Sequence, residues 1–198
     1  LDLYQSKNNM CTINSIGDIN MINDLLVKSD RKINCYLKVD TGMGRLGIPY
    51  CDFENVIDLI KDSNKINLIG IYSHFSSSDE ESGKESFLQL EKFNQIINIS
   101  NNVTSTNQQY HISNSAGILN SDLAFYDAVR VGISLYGINI TNIKHDLKPV
   151  MELKAPIVFT KEIDKGECVG YNKRFVANQK TKVGYLQVGY ADGYPLEM

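Results

Sequence analysis

Residues 37–48 read LKVDTGMGRLGI and bring a lysine, an aspartate and an arginine into one short stretch. An apolar run ends in Lys38 and Asp40, a glycine-punctuated turn follows, and Arg45 emerges from it. Barrel and doubly wound α/β enzymes keep their chemistry at the carboxyl ends of strands. A guanidinium such as that of Arg45 can hold a carboxylate or phenolate through two parallel hydrogen bonds; the plain alternative is a turn arginine paired with Asp40. Lys38 raises a question of charge, unless it is an exposed strand lysine. A buried ammonium beside an arginine is unfavourable, and its neutral form still leaves Arg45 without an anionic partner. His74 closes another apolar run at Ser73-His74-Phe75, and Arg130 closes a short one beginning at Ala128.

The elements that must position these groups alternate between strand and helix patterns. Residues 10–14 read as a strand, and Ile19, Ile22, Leu25 and Leu26 mark one helix face. Residues 33–39 and 66–72 are further strands, separated by a helix with Phe53, Val56, Ile57 and Ile60 at helical spacing. A polar stretch (SSSDEESGKES) precedes a helix with Leu90, Phe93 and Ile97 on one face. Residues 110–112 and 128–130 look like two more strand ends. Repeated β-then-α units predict a parallel sheet with helical crossovers. Beyond Pro149 the texture becomes β-rich, without amphipathic helices and with Gly166 and Gly170 in turns. The expected organisation is a (β/α) unit over 1–144 and an all-β module over 145–198. A closed eight-unit barrel takes roughly 250 residues. At roughly thirty residues per βαβ unit, only about five units precede the β module. The fold expected is therefore α/β: an incomplete (β/α)8 TIM-type barrel, its later strands only, followed by the start of an all-β domain.

Composition narrows the function classes. With 198 residues and 42% hydrophobic content the chain can build a real core. A formal charge of −3 gives no nucleic-acid footprint, and no apolar run approaches the ~20 residues of a membrane span. The first residues lack the layout of a signal peptide. Cys11, Cys35, Cys51 and Cys168 have no metal-ligand or redox spacing. They are expected to be reduced, mostly core thiols of a cytoplasmic protein with no metal site.

Four further segments stand in order along the chain: residues 72–80 (YSHFSSSDE), 111–119 (HISNSAGIL), 129–137 (VRVGISLYG) and 188–195 (VGYADGYP). Together with LKVDTGMGRLGI and with residues 166–177 (GECVGYNKRFVA), they resemble the signature of the fold type III alanine racemases, which are pyridoxal-phosphate (PLP) enzymes. The resemblance covers nearly the whole chain. Ser73 stands where the family usually has Thr, keeping the hydroxyl, and Val131 stands where Pro is common. No segment resembles the family's cofactor-bearing lysine motif, so the chain is expected to be an internal piece that does not catalyse alone.

The resemblance implies a role for each candidate. Arg45 contacts the PLP phenolic oxygen and orients the substrate, and Lys38 is carbamylated into an anion that holds Arg45. Arg130 faces the pyridine nitrogen. Ser115, Gly132 and Ile133 cradle the phosphate, with His111 and Asn114 near the ring. Tyr171 is one of two proton-transfer groups, opposite the missing lysine; inversion needs removal on one face and delivery on the other. His74 hydrogen-bonds Tyr171 and links to Arg130, and Tyr190 lines the substrate access path. Because Tyr171 lies on the β module, a head-to-tail homodimer with shared sites is implied. The implied reaction interconverts L- and D-alanine for cell-wall peptidoglycan. Alternatives are the serine/alanine racemase domain of a membrane-bound glycopeptide-resistance protein, a non-catalytic PLP-binding barrel protein, and an inactive remnant. Plain structural roles also remain open: Ser115 as a helix cap, Arg130 as a strand-end arginine, His74 as a satisfied structural histidine, Tyr171 as a core β-strand tyrosine.

Overall fold

Four parallel strands, β1 (Met10–Ile13), β2 (Ile33–Asp40), β4 (Ile66–Tyr72) and β5 (Gln109–His111), lie side by side in that order, and the two-residue β3 (Ile48–Pro49) pairs with the end of β2. The computed structural model describes residues 9–104, 107–120 and 124–195. The segment read for a signal peptide (1–8) and the last residues of the β module (196–198) fall outside them. Helices α1 (Ile16–Leu25), α2 (Phe53–Asp62) and α3 (Lys84–Val103) connect the strands, and the short α4 (Ser115–Asn120) follows β5.

Each helix starts and packs for readable reasons. A reciprocal capping box opens α1: Ser15 Oγ accepts from Asp18 N at 3.2 Å, and Asp18 Oδ2 accepts from Ser15 N at 3.0 Å. Ile19, Ile22 and the following Leu26 are buried, while Leu25 faces solvent at 50% exposure. In α2, Phe53, Val56, Ile57 and Ile60 form one fully buried stripe. In α3, Phe93 and Ile96 are buried, with Leu90 and Ile97 packed at the margin.

Strand alternation sorts the sheet into two faces. Cys35, Leu37, Val39, Leu68, Ile71 and Tyr110 are buried in the same core as the helices' apolar stripes. The alternate positions Tyr36, Lys38, Tyr72, Gln109 and His111 occupy the other face. A register shift between Cys35 and Tyr36 keeps the two strands in phase, so that Lys38 pairs with Tyr72.

Residues 128–130 do not form the strand their sequence predicts. They run beside β5 on isolated bonds: Asp127 N donates to Tyr110 O at 3.0 Å and Arg130 N to Ser113 O at 3.0 Å. These bonds place Arg130 without building a continuous ladder.

The chain divides into two units, residues 1–150 and 151–198. The second contains an antiparallel pair, β6 (Ile157–Ile163) with β9 (Thr181–Leu186), and a hairpin of β7 (Cys168–Val169) with β8 (Phe175–Val176). Gly166 and Gly170 sit in turns with φ of +89° and +77°. The thiol expectation needs correction: Cys35 is buried and Cys11 half-buried, but Cys51, in the 3-10 turn Tyr50–Asp52, and Cys168, in the two-residue β7, are exposed. None of the four is in a disulfide. Among the described residues no helix is long and apolar enough to cross a membrane.

Candidate active site

Lys38, Tyr72 and His111 stand in one row across the carboxyl ends of β2, β4 and β5. The Tyr72 and His111 rings stack, with centroids 4.9 Å apart and planes at 19°. Tyr36 tilts against His111 at 5.4 Å, completing an aromatic floor. Gly70 makes room for it: a Cβ there would lie 2.2 Å from Gln109 O and 2.7 Å from the Tyr36 ring.

Arg130 reaches over this floor, its guanidinium 5.1 Å from the Tyr72 ring centroid. One terminal nitrogen donates to His111 Nδ1. The other donates to His74 Nδ1 at 3.0 Å, Ser73 O at 2.6 Å and Ile112 O at 3.2 Å. A guanidinium has no acceptor, so both imidazoles present an Nδ1 lone pair and carry their proton on Nε2. Burial, followed by the Arg130 charge, pushes His74 and His111 down to about 4; Arg45 and Lys38 add to the effect at His74. Both rings are therefore neutral near pH 7.

Lys38 is 5% exposed, with Nζ 5.9 Å from the Tyr72 ring centroid. Burial lowers its pKa, the charges of Arg45 and Arg130 lower it further, and Asp40 opposes them. Asp40 itself is turned into the glycine turn: Oδ1 accepts from Gly42 N at 2.9 Å and Met43 N at 2.8 Å. Among the described residues Arg45 forms no ion pair with it, so the pairing considered from sequence is absent. Arg45 stays exposed at the mouth of the strands.

Ser115 opens α4 and is buried, but its side chain does not cap its own helix. Its Oγ accepts from Gly132 N at 2.9 Å and Ser134 N at 3.3 Å, with Ile133 between them. Asn114 is engaged elsewhere: Oδ1 accepts from Ser78 Oγ at 2.7 Å and Gly117 N at 3.0 Å, which braces the segment after β4.

On the second unit, Tyr171 is 86% exposed and follows β7 in a 3-10 turn, Tyr171–Lys173. It is not a core strand residue: the chain leaves the β7 ladder at Gly170, and Asn172 and Lys173 take positive φ of 58° and 52°. Tyr190 is likewise exposed, in the turn Tyr190–Asp192.

Sequence reasoning overlooked Tyr36 and Tyr72 as site residues. The signal was available: Tyr36 and Lys38 are two apart on one strand and must share a face. It also overlooked Gln89, which lies in no motif.

Residues 1–140 match the family model "Alanine racemase, N-terminal domain", and residues 150–198 match "Alanine racemase, C-terminal domain". The chain belongs to the alanine racemase family. A relative named alanine racemase from Geobacter sp. (strain M21) is 37% identical over 176 residues, covering 86% of this chain and 46% of the relative. Another alanine racemase, from Halothermothrix orenii, is 37% identical over 179 residues, covering 88% and 47%. The chain thus spans about half the length of the curated relatives it matches. Its fold is similar to the biosynthetic alanine racemase of Pseudomonas aeruginosa, with a TM-score of 0.81, 29% identity, and coverage of 94% of this chain and 51% of that one. It is also similar to the alanine racemase of Bartonella henselae with covalently bound pyridoxal phosphate, with a TM-score of 0.79, 28% identity, and coverage of 93% and 50%. In alanine racemase family terms, the parallel sheet is part of a (β/α) barrel and the second unit the beginning of the β domain.

Proposed function

We propose that these residues belong to a PLP-dependent alanine racemase that works in the cytoplasm and supplies D-alanine for peptidoglycan. On this reading residues 1–144 are part of the cofactor-binding barrel and 145–198 the start of the β domain. The observation that carries it is Arg130 holding His74 and His111 at once, beside the Ser115–Gly132 cradle.

The residues present suit the cofactor. The buried Ser115 hydroxyl takes the Gly132 and Ser134 N–H groups here; turned onto an oxyanion, the same hydroxyl and amides would serve a phosphate. An aromatic floor edged by a guanidinium suits a flat heteroaromatic ring. When bound, PLP supplies an electron sink that acidifies the α-hydrogen of the amino acid.

The chain's own groups divide the remaining work. Ser115, Gly132 and Ile133 would hold the phosphate, with Asn114 bracing the adjoining loop. Arg130 would donate to the pyridine nitrogen, steadied by His111. Arginine keeps its proton, so that nitrogen gains a hydrogen bond and no full charge. Arg130 would thereby temper the sink and favour simple return of the proton. Arg45 would hold the phenolic oxygen and the substrate carboxylate. Tyr171 would move a proton at Cα on one face, served by His74, and the family's cofactor-bearing lysine would serve the other. Tyr171 and Tyr190 would act in the partner subunit of a homodimer.

Lys38 would be carbamylated. Its lowered pKa enlarges the share of neutral amine, which attacks carbon dioxide to form an N–C bond and release one proton. The resulting anion would give Arg45 an anionic partner, which it does not have among the described residues. A carbamate carbon signal after growth and purification in 13C-bicarbonate, lost in Lys38→Met, is the expected result.

The decisive experiment supplies the complete protein with PLP and follows D-alanine formation from L-alanine, with L-serine in parallel. PLP-dependent conversion of alanine supports the reading; no conversion by a folded, PLP-loaded protein overturns it.

A further inference from the structure

Gln89 projects from α3 and is 3% exposed. A buried amide is costly unless its hydrogen bonds are made, and here both ends of it are engaged. Its Oε1 accepts from Ser76 N at 2.9 Å and Ser76 Oγ at 3.0 Å. Its Nε2 donates to His74 O at 3.0 Å and Thr41 Oγ1 at 3.3 Å. Thr41 Oγ1 and Ser73 Oγ are themselves 2.8 Å apart, both buried. The main chain of Gly42 lies against the same side chain: a Cβ there would come within 3.2 Å of Gln89 Cγ. One turn along the helix, Lys92 Nζ donates to Thr41 O at 3.4 Å.

The two segments joined in this way are the ones that carry the site. Thr41 and Gly42 begin the loop that ends in Arg45, and residues 73–76 carry His74 off the end of β4. An apolar side chain could fill the same space on α3. Only a group with donors and acceptors at fixed spacing can hold a threonine hydroxyl, a main-chain carbonyl and a main-chain N–H together.

We propose that Gln89 is a positioning residue that sets the spacing between the Arg45 loop and the His74 strand end by bridging Thr41 to the main chain of His74 and Ser76. The proposal rests on the racemase reading for its effect on turnover but not for its effect on His74. The His74 ring is held at Nδ1 by Arg130, and its main chain is held by Gln89. Burial and the charges of Arg130, Arg45 and Lys38 all lower the pKa of this ring. Slackening the main chain lets the ring move away from those charges and toward solvent, so its titration midpoint rises toward the ordinary histidine value.

The test compares the complete protein with Gln89→Met, which keeps length and loses every hydrogen bond. Gln89→Glu keeps an acceptor for Ser76 and loses both donated bonds. Thr41→Val removes the bond at the other end. In each, the His74 ring signal, assigned by its disappearance in His74→Asn, is titrated by NMR. Parallel assays give kcat and KM for alanine well below the melting temperature. For Gln89→Met the midpoint is expected to move up from about 4, and kcat to fall roughly 10- to 100-fold with KM changed far less. Gln89→Glu also brings a carboxylate near the ring, whose charge alone raises the midpoint, so for this variant only the fall in kcat is read. A lowered melting temperature with an unchanged His74 midpoint and unchanged kcat would make Gln89 a packing residue and overturn the proposal. If Gln89→Met does not fold, Thr41→Val decides by the same two readouts. A parent protein that fails to racemise alanine, while the His74 shift still appears, counts against the racemase reading and leaves the positioning role standing.

Discussion

Arg130 makes four hydrogen bonds from two terminal nitrogens, and a lysine could not reproduce that fork. Arg130→Lys keeps the charge but releases at least one imidazole and one strand-end carbonyl. We expect turnover to fall by about two orders of magnitude, the scale that small misplacements in an active site produce. Steady-state kinetics alongside a thermal melt will show whether the loss exceeds any change in folding. Tyr171 belongs to the same scale. Because it is exposed and outside any packed core, Tyr171→Phe should leave the melting temperature unchanged within a degree or so. If its phenol moves the proton on one face, the variant should lose proton abstraction from one enantiomer far more than binding. Solvent-deuterium exchange measured separately from L- and D-alanine checks this, and little loss in both directions would remove Tyr171 from the mechanism.

At the scale of elements, the glycine turn between β2 and β3 is what lets Arg45 face the strand ends. Gly47 has φ of +111°, and a Cβ there would lie 2.9 Å from Lys38 O and 3.0 Å from Lys38 Cγ. Gly47→Ala should therefore cost on the order of 1–3 kcal/mol in urea unfolding and disturb Lys38 directly. A helix substitution gives the contrast. Phe53 anchors the buried stripe of α2 at 1% exposure, so Phe53→Ala should cost about 3–5 kcal/mol. It lies on the core side of the layer, remote from the Lys38–His111 face, so activity per folded molecule should be preserved. Equal losses of activity in the two variants would contradict this separation of core and site.

For the whole molecule, the two half-buried imidazoles link stability to pH. His74 and His111 are pushed down to about 4 in the folded state, from an ordinary value of 6.5. Folding thus favours their neutral forms. Their contribution is fully present above about pH 6.5 and is lost as the pH falls through 4, where the unfolded chain has already bound both protons. Urea midpoints measured from pH 7 to pH 4 should decline, and the His74→Asn/His111→Asn double variant should show a shallower decline over the same window. An identical slope would mean that neither ring is held neutral in the folded state by its burial and the Arg130 charge.

The sequence by itself determined the succession from β1 to β5 of the four parallel strands and the three long helices, though not the ladder expected at 128–130, and the identity of the charged groups at the strand ends. Periodicity is a local property: Phe53, Val56, Ile57 and Ile60 can only be one face of a helix, and Ile66–Tyr72 is bounded by polar turns on both sides. Motif order carried the family, since six segments in sequence outweigh any one of them. Tertiary structure alone decided which groups meet. His74, His111 and Arg130 come together because β4 and β5 are neighbours in register and because two backbone bonds beside β5 aim an arginine that no ladder holds. Those contacts join residues 19 and 56 positions apart, and no local pattern encodes them. Gln89 was invisible for the same reason, and the aromatic floor was half legible: strand spacing puts Tyr36 on the face of Lys38, but the rings it meets come from other strands.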